Sequence, residues 1–138
     1  MRKSVFFLSA FLVLALASPS SAEGKPKLKL KAPRTIFMKP TGMYSYSPVS
    51  VMVRAELEGD PQNPEEYYCL VEEWEWGDET ESSHEPDCEP YVEGAELTRF
   101  YSASHTYRIP GNYTIFLRLQ SGKRSVLTGS ITVNLRGT

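Results

Sequence analysis

Two alternating runs, well separated in the chain, constrain its fold more than anything else in it. Glu73-Trp74-Glu75-Trp76-Gly77-Asp78 sets two indoles against two carboxylates at a period of two, the pattern of a half-buried strand, and Gly77-Asp78 ends it. Further on, His105-Thr106-Tyr107-Arg108-Ile109-Pro110-Gly111-Asn112-Tyr113-Thr114 turns at Pro-Gly into a second alternation, Tyr113, Ile115, Leu117 and Leu119. A central strand with a buried Trp, facing a strand that opens on a turn and a tyrosine, is how an immunoglobulin-like sandwich builds its core. The expected fold is therefore all-β, an immunoglobulin-like two-sheet antiparallel sandwich of about seven strands.

The wording W-x-W-G-D followed by H-T-Y-x-x-P-G-x-Y-T resembles the PKD family of extracellular sandwich domains, whose usual text is W-x-F-G-D-G and H-x-Y-x-x-P-G-x-Y. The resemblance runs from Pro48 to Leu135. It departs from the family at Trp76, where Phe is usual, at Glu79, where the second Gly is usual, and in the length of the stretch 78–94, which reads as an insertion. Gly takes a positive φ cheaply and Glu does not, so the turn after Gly77 is expected to adopt a different backbone. The resemblance implies a non-catalytic module of exported or cell-surface proteins, serving protein–protein or protein–carbohydrate contact, with His105 a structural contact.

Ahead of the sandwich, Met1-Arg2-Lys3 and the apolar run from Ser4 to Ala17 read as a secretory signal peptide, 1–22, ending at Ser18-Pro19-Ser20-Ser21-Ala22. Nothing after it is apolar for the ~20 residues that a membrane-spanning helix needs. The expected location is secreted or periplasmic, with no membrane span after cleavage and no nucleic-acid partner. Residues 23–47 form basic amino-terminal strands and a loop joining the sandwich, and 48–138 the PKD-like sandwich itself. Two cysteines in an exported chain point to one disulfide, Cys69–Cys88.

Glu23 to Pro33 carries Lys25, Lys27, Lys29 and Lys31 alternating with Leu28 and Leu30 as an edge strand does, and Pro33 marks where it crosses between sheets. The stretch 40–48 is expected to be a loop. Val49 to Leu57 alternates regularly as a second strand. Glu65 to Trp76 is the Trp strand, with Tyr68, Leu70, Trp74 and Trp76 inward; Glu72 then falls on the wrong side unless a bulge intervenes. The insertion 78–94 is expected to be an irregular polar loop, 95–101 a strand, and 121–123 a hairpin turn, with Gly129 marking a bulge in the last strand.

Charge separates into three blocks. The formal net charge is only −2, yet every Asp and Glu but Glu23 falls between Ala55 and Thr98, a stretch with no Lys or Arg. Within it, Asp78, Glu79, Glu81, Asp87 and Glu89 are candidate calcium ligands, hard oxygens at a spacing that fits no EF-hand. Glu81, Glu85, Asp87 and Glu89, with Trp76 and Tyr91, are the candidate binding patch, for a basic envelope or extracellular protein or for a carbohydrate. Trp76, Tyr91 and Tyr101 are the aromatics that a sugar would stack on. A calcium-stabilised structural domain of the cell envelope is the alternative reading, and weak self-association through the basic and acidic blocks is a further expectation. Asp78 is expected to accept hydrogen bonds from turn amides. Its pairing with His105 would need a nucleophile, and Ser102 and Ser104 lack the glycines of a nucleophile elbow, so no enzyme is expected.

Overall fold

The computed structural model describes residues 25–138. The signal-peptide expectation for 1–22 lies outside the described residues. Among the described residues ten strands are formed: β1 Lys27–Lys31, β2 Thr35–Met38, β3 Pro40–Gly42, β4 Ser45–Tyr46, β5 Val49–Glu58, β6 Val71–Glu75, β7 Glu81–His84, β8 Phe100–Tyr107, β9 Gly111–Ser121 and β10 Arg124–Gly137. They pair as a three-stranded sheet β1-β5-β8, a five-stranded sheet β2-β10-β9-β6-β7, and the hairpin β3-β4. The two main sheets form the sandwich. The count exceeds seven because Pro33 splits the first strand, the segment after Lys39 closes into a hairpin, and the acidic insertion contributes β7.

Pro33 does what its lack of an N–H predicts. Upstream, β1 runs antiparallel to β5 in one sheet; downstream, β2 joins β10 in the other, and this one pairing is parallel. The two halves of the crossing strand thereby close one side of the sandwich. There β1 lies so near β10 that a Cβ on Gly129 would stand 2.5 Å from Leu30 Cδ1. Gly129 thus marks a close approach of the sheets, and the bulge expected there lies instead between Ser125 and Leu127.

Val51, Val53 and Ala55 of β5 meet Ile115, Leu117, Leu119, Val133 and Leu135 of β9 and β10 across a core filled by Trp74, Trp76 and Tyr107. Burying each of the larger side chains contributes about 1.5–3 kcal/mol. Tyr113 donates from its hydroxyl to the Ile109 carbonyl at 2.6 Å, the contact of a tyrosine corner, and so pins the turn that leads into β9.

The Trp strand is shorter than its sequence suggests. Pro64 opens a single 3-10 turn, Pro64–Tyr67, and Cys69 then takes a φ of 53°. That left-handed residue re-aims the chain, so Tyr67 and Leu70 are buried and Tyr68 is turned outward to half-exposure. From Val71 to Glu75 the pairing with β9 runs without a shift. No bulge rescues Glu72, which shares the inner face with Trp74.

The strand expected over 95–101 forms later, at Phe100–Tyr107, and runs on through His105. Arg99 fixes its entry by donating to the Gly59 carbonyl at 2.6 Å and to Asp60 at 2.7 Å. Ser102, Ala103 and Ser104 are too small and polar to advertise a strand in the sequence; pairing with β5 makes them one.

Candidate functional site

Three features gather on the side of the sandwich opposite β1 and β2: the turn after Trp76, the acidic insertion, and the space between β7 and β8.

The turn is built around a stack. The Trp76 indole lies parallel to the Trp74 indole at 5.4 Å and to the His105 ring at 4.9 Å, while Tyr107 meets His105 edge-on at 4.7 Å. Tyr107 donates to the Trp76 carbonyl at 2.7 Å, and Trp76 Nε1 donates to Ser82 Oγ at 2.9 Å. Gly77 has a φ of 82°, and a Cβ there would stand 2.7 Å from the Thr114 carbonyl oxygen, so only Gly fits. Glu79 keeps a φ of 66°. That is the left-handed region that glycine enters more cheaply than Glu does.

Asp78 accepts from the Thr80 amide at 3.2 Å and from the Thr80 hydroxyl, and its other oxygen lies 2.7 Å from His105 Nε2. Burial pushes this carboxyl up, but the hydrogen bonds from Thr80 and His105 and the charge of His105 outweigh it and hold it below its usual range. Thr80 Oγ1 also lies 3.3 Å from His105 Nε2. Acid and hydroxyl thus share one ring nitrogen, whereas a proton relay needs them on opposite nitrogens. Ser102 and Ser104 point to the other face of β8.

The insertion is tied down at three places. Cys69 and Cys88 form the disulfide, with Cα atoms 6.1 Å apart. Tyr68 donates to the Glu89 carbonyl at 2.8 Å, and its ring meets Tyr91 at 5.3 Å. Part of the insertion is not a loop: β7 pairs antiparallel with β6 from Glu72↔His84 to Glu75↔Glu81 and becomes the edge of the larger sheet. Glu81, Glu85, Asp87 and Glu89 are exposed, and none of them, nor Glu79, makes a salt bridge among the described residues. The candidate calcium ligands Asp78, Glu79, Glu81, Asp87 and Glu89 do not converge: among the described residues no three His, Cys, Asp or Glu side chains gather as metal ligands.

The aromatic part of the candidate patch is corrected. Trp76, just past the end of β6, is 1% exposed and Tyr101, on the inner face of β8, 6%, and Tyr91 is half-buried against Tyr68. No stacking platform is left in that set.

Between the edges of β7 and β8 the sheets part to leave a cleft of about 570 Å³, floored by Leu70, Trp74 and Tyr101 and walled by Ser83 and His84. Glu72 stands inside it. Its carboxylate accepts from Trp74 Nε1 at 3.3 Å, and burial pushes its pKa up, partly offset by that hydrogen bond and by His84. Burial, with the charge of Glu72, also pushes the Tyr101 hydroxyl up to about 12. The sequence signalled Glu72 only as a misfit in the alternation; the cleft has no sequence signature, since two separate strands make it.

A scan of the chain against protein-family models finds no match, and a search of the curated proteins finds none.

Proposed function

We propose that this chain is an exported, non-catalytic module, PKD-like in its Trp and Tyr motifs, that holds an acidic face against a basic region of an envelope or extracellular protein. The observation that carries the reading is the insertion. Glu79, Glu81, Glu85, Asp87 and Glu89 find no cation within the described residues, yet a disulfide, a backbone hydrogen bond and a ring contact fix the segment that bears them. Unmatched charge on a fixed surface steers and orients a partner of the opposite sign, because little ordering entropy is lost on docking.

The disulfide supports an oxidising compartment. Burial of Trp76 and Tyr101 favours a protein over a carbohydrate as the partner. The shared nitrogen of His105 favours contact over chemistry.

The test is capture on immobilised protein. Basic proteins from an envelope or culture-fluid extract should be retained at about 0.05 M salt and released near 0.5 M, where the screening length is only ~4 Å. The variant E81K/E85K/E89K should lose them. Equal retention by the variant would remove the acidic face from the reading.

A further inference from the structure

The two sheets end differently at their borders. β1 carries three lysines, β2 is four residues long, and β7 is four residues long, opens on Glu81 and is followed by Pro86. Charge, brevity and proline are the usual guards of an edge strand. β8 has none of them: it is eight residues long, with no Lys, Arg, Asp, Glu or Pro. An immunoglobulin-like sandwich has a fourth strand beside this position, and among the described residues no strand borders β8 except β5.

The direction of the free groups follows from the ladder. Leu57 donates to the Arg99 carbonyl at 2.8 Å, and antiparallel pairing alternates from there. Tyr101, Ala103 and His105 therefore spend their N–H and C=O groups on β5, while those of Phe100, Ser102, Ser104 and Thr106 face outward. Phe100 is 71% exposed on the outer face of this edge, and the cleft holding Glu72 opens along its inner face. Glu66, Glu75 and Asp60 all have an Arg partner, but among the described residues Glu72 pairs with neither Lys nor Arg, and neither lines its cleft.

We propose that the free edge of β8 takes an extended segment of a partner protein, alternating basic and apolar residues, as an added strand. Backbone hydrogen bonds to Phe100, Ser102, Ser104 and Thr106 hold it. A Lys or Arg on its inner side enters the cleft and meets Glu72, its aliphatic stem lying over Leu70 and Tyr101. Apolar residues on its outer side cover Phe100. This is strand addition, in which the main chain supplies affinity and alternate side chains specificity. The proposal rests on the acidic-face reading above and names the part of that surface which reads sequence.

The test uses the folded chain and a ten-residue peptide alternating lysine with valine, with a glutamate–valine peptide as control. Amide exchange of the four outward β8 residues, followed by NMR, should slow when the lysine peptide is added and not with the control. S104P removes one outward N–H and leaves the β5 ladder intact, so it should weaken binding at least about tenfold without altering the fold. E72Q should weaken it roughly fivefold. The exchange measurement on the unaltered protein decides the matter even if S104P fails to fold. Binding that protects only the insertion, survives S104P and is lost in E81K/E85K/E89K would overturn strand addition and leave the acidic-face reading standing. No binding of the lysine peptide at low salt would overturn both. Concentration-dependent protection of the same β8 amides without peptide would assign the edge to a second copy of this chain and overturn the proposal.

Discussion

Glu79 is where this sequence breaks a local rule and the fold overrides it. A non-glycine residue in the left-handed region costs about 1–2 kcal/mol, and Glu79 sits there with φ 66°. Its neighbours hold it: Gly77 locked against the Thr114 backbone on one side, the Asp78–Thr80 bonds on the other. E79G should therefore stabilise the protein by about 1 kcal/mol, read as a rise in Tm of roughly 4 °C or more. Asp78 makes the opposite case, a residue whose side chain is worth its place. With its pKa lowered from the usual 3.8, its ionised form stabilises the fold fully above that value, and the stabilisation is lost as pH falls through the lowered folded value. D78N should be less stable than the unaltered protein at neutral pH, with the gap closing on acidification below pH 3.8 in chemical-denaturation midpoints. Glu72 carries the reverse sign. Its raised pKa means that the folded state favours the protonated form, so its contribution is full below the usual 4.5 and is lost as pH rises through the raised value. E72Q should accordingly be the more stable protein at neutral pH and lose that advantage below pH 4.5.

Strands were legible where their residues alternate large apolar with polar, as in β5, β9 and the Trp-bearing half of β6. They were not legible where small or charged residues make the strand. Ser102-Ala103-Ser104 and Glu81-Ser82-Ser83-His84 contain no large apolar residue to mark an inward face: in the first only Ala103 is partly buried, and in the second all four residues are exposed. The start of β6 was misplaced for a different reason: a positive φ at Cys69 shifts the inward residues by one, and nothing in Glu65 to Leu70 announces it. The cysteine pair, by contrast, was legible from the count alone. The bond closes a separation of 19 residues, for which loop entropy gives about 3 kcal/mol. C69A/C88A should lose about that much in urea denaturation. Because the bond also anchors the insertion, the variant should bind the proposed basic partners more weakly than its remaining folded fraction accounts for.

At the scale of the molecule, the sheet orders put β1 and β2 at one lateral border and β7 and β8 at the other. The lysines of β1 and the unmatched carboxylates of the insertion therefore lie on opposite sides, which makes the molecule complementary to itself head to tail. Weak self-association should appear by sedimentation at low salt and vanish near about 0.5 M; salt-independent association would show that charge does not drive it. The sequence by itself determined the sandwich, its Trp–Tyr core, the crossing at Pro33, the disulfide and the segregation of charge, since each follows from periodicity, backbone chemistry or composition in one stretch of chain. Tertiary structure alone decided that Tyr101 is buried, that the five calcium candidates stay apart, and that β8, among the described residues, is left with an open edge beside Glu72. Those outcomes depend on which strands become neighbours, and neighbourhood between sheets is set by packing over distances that no local pattern encodes.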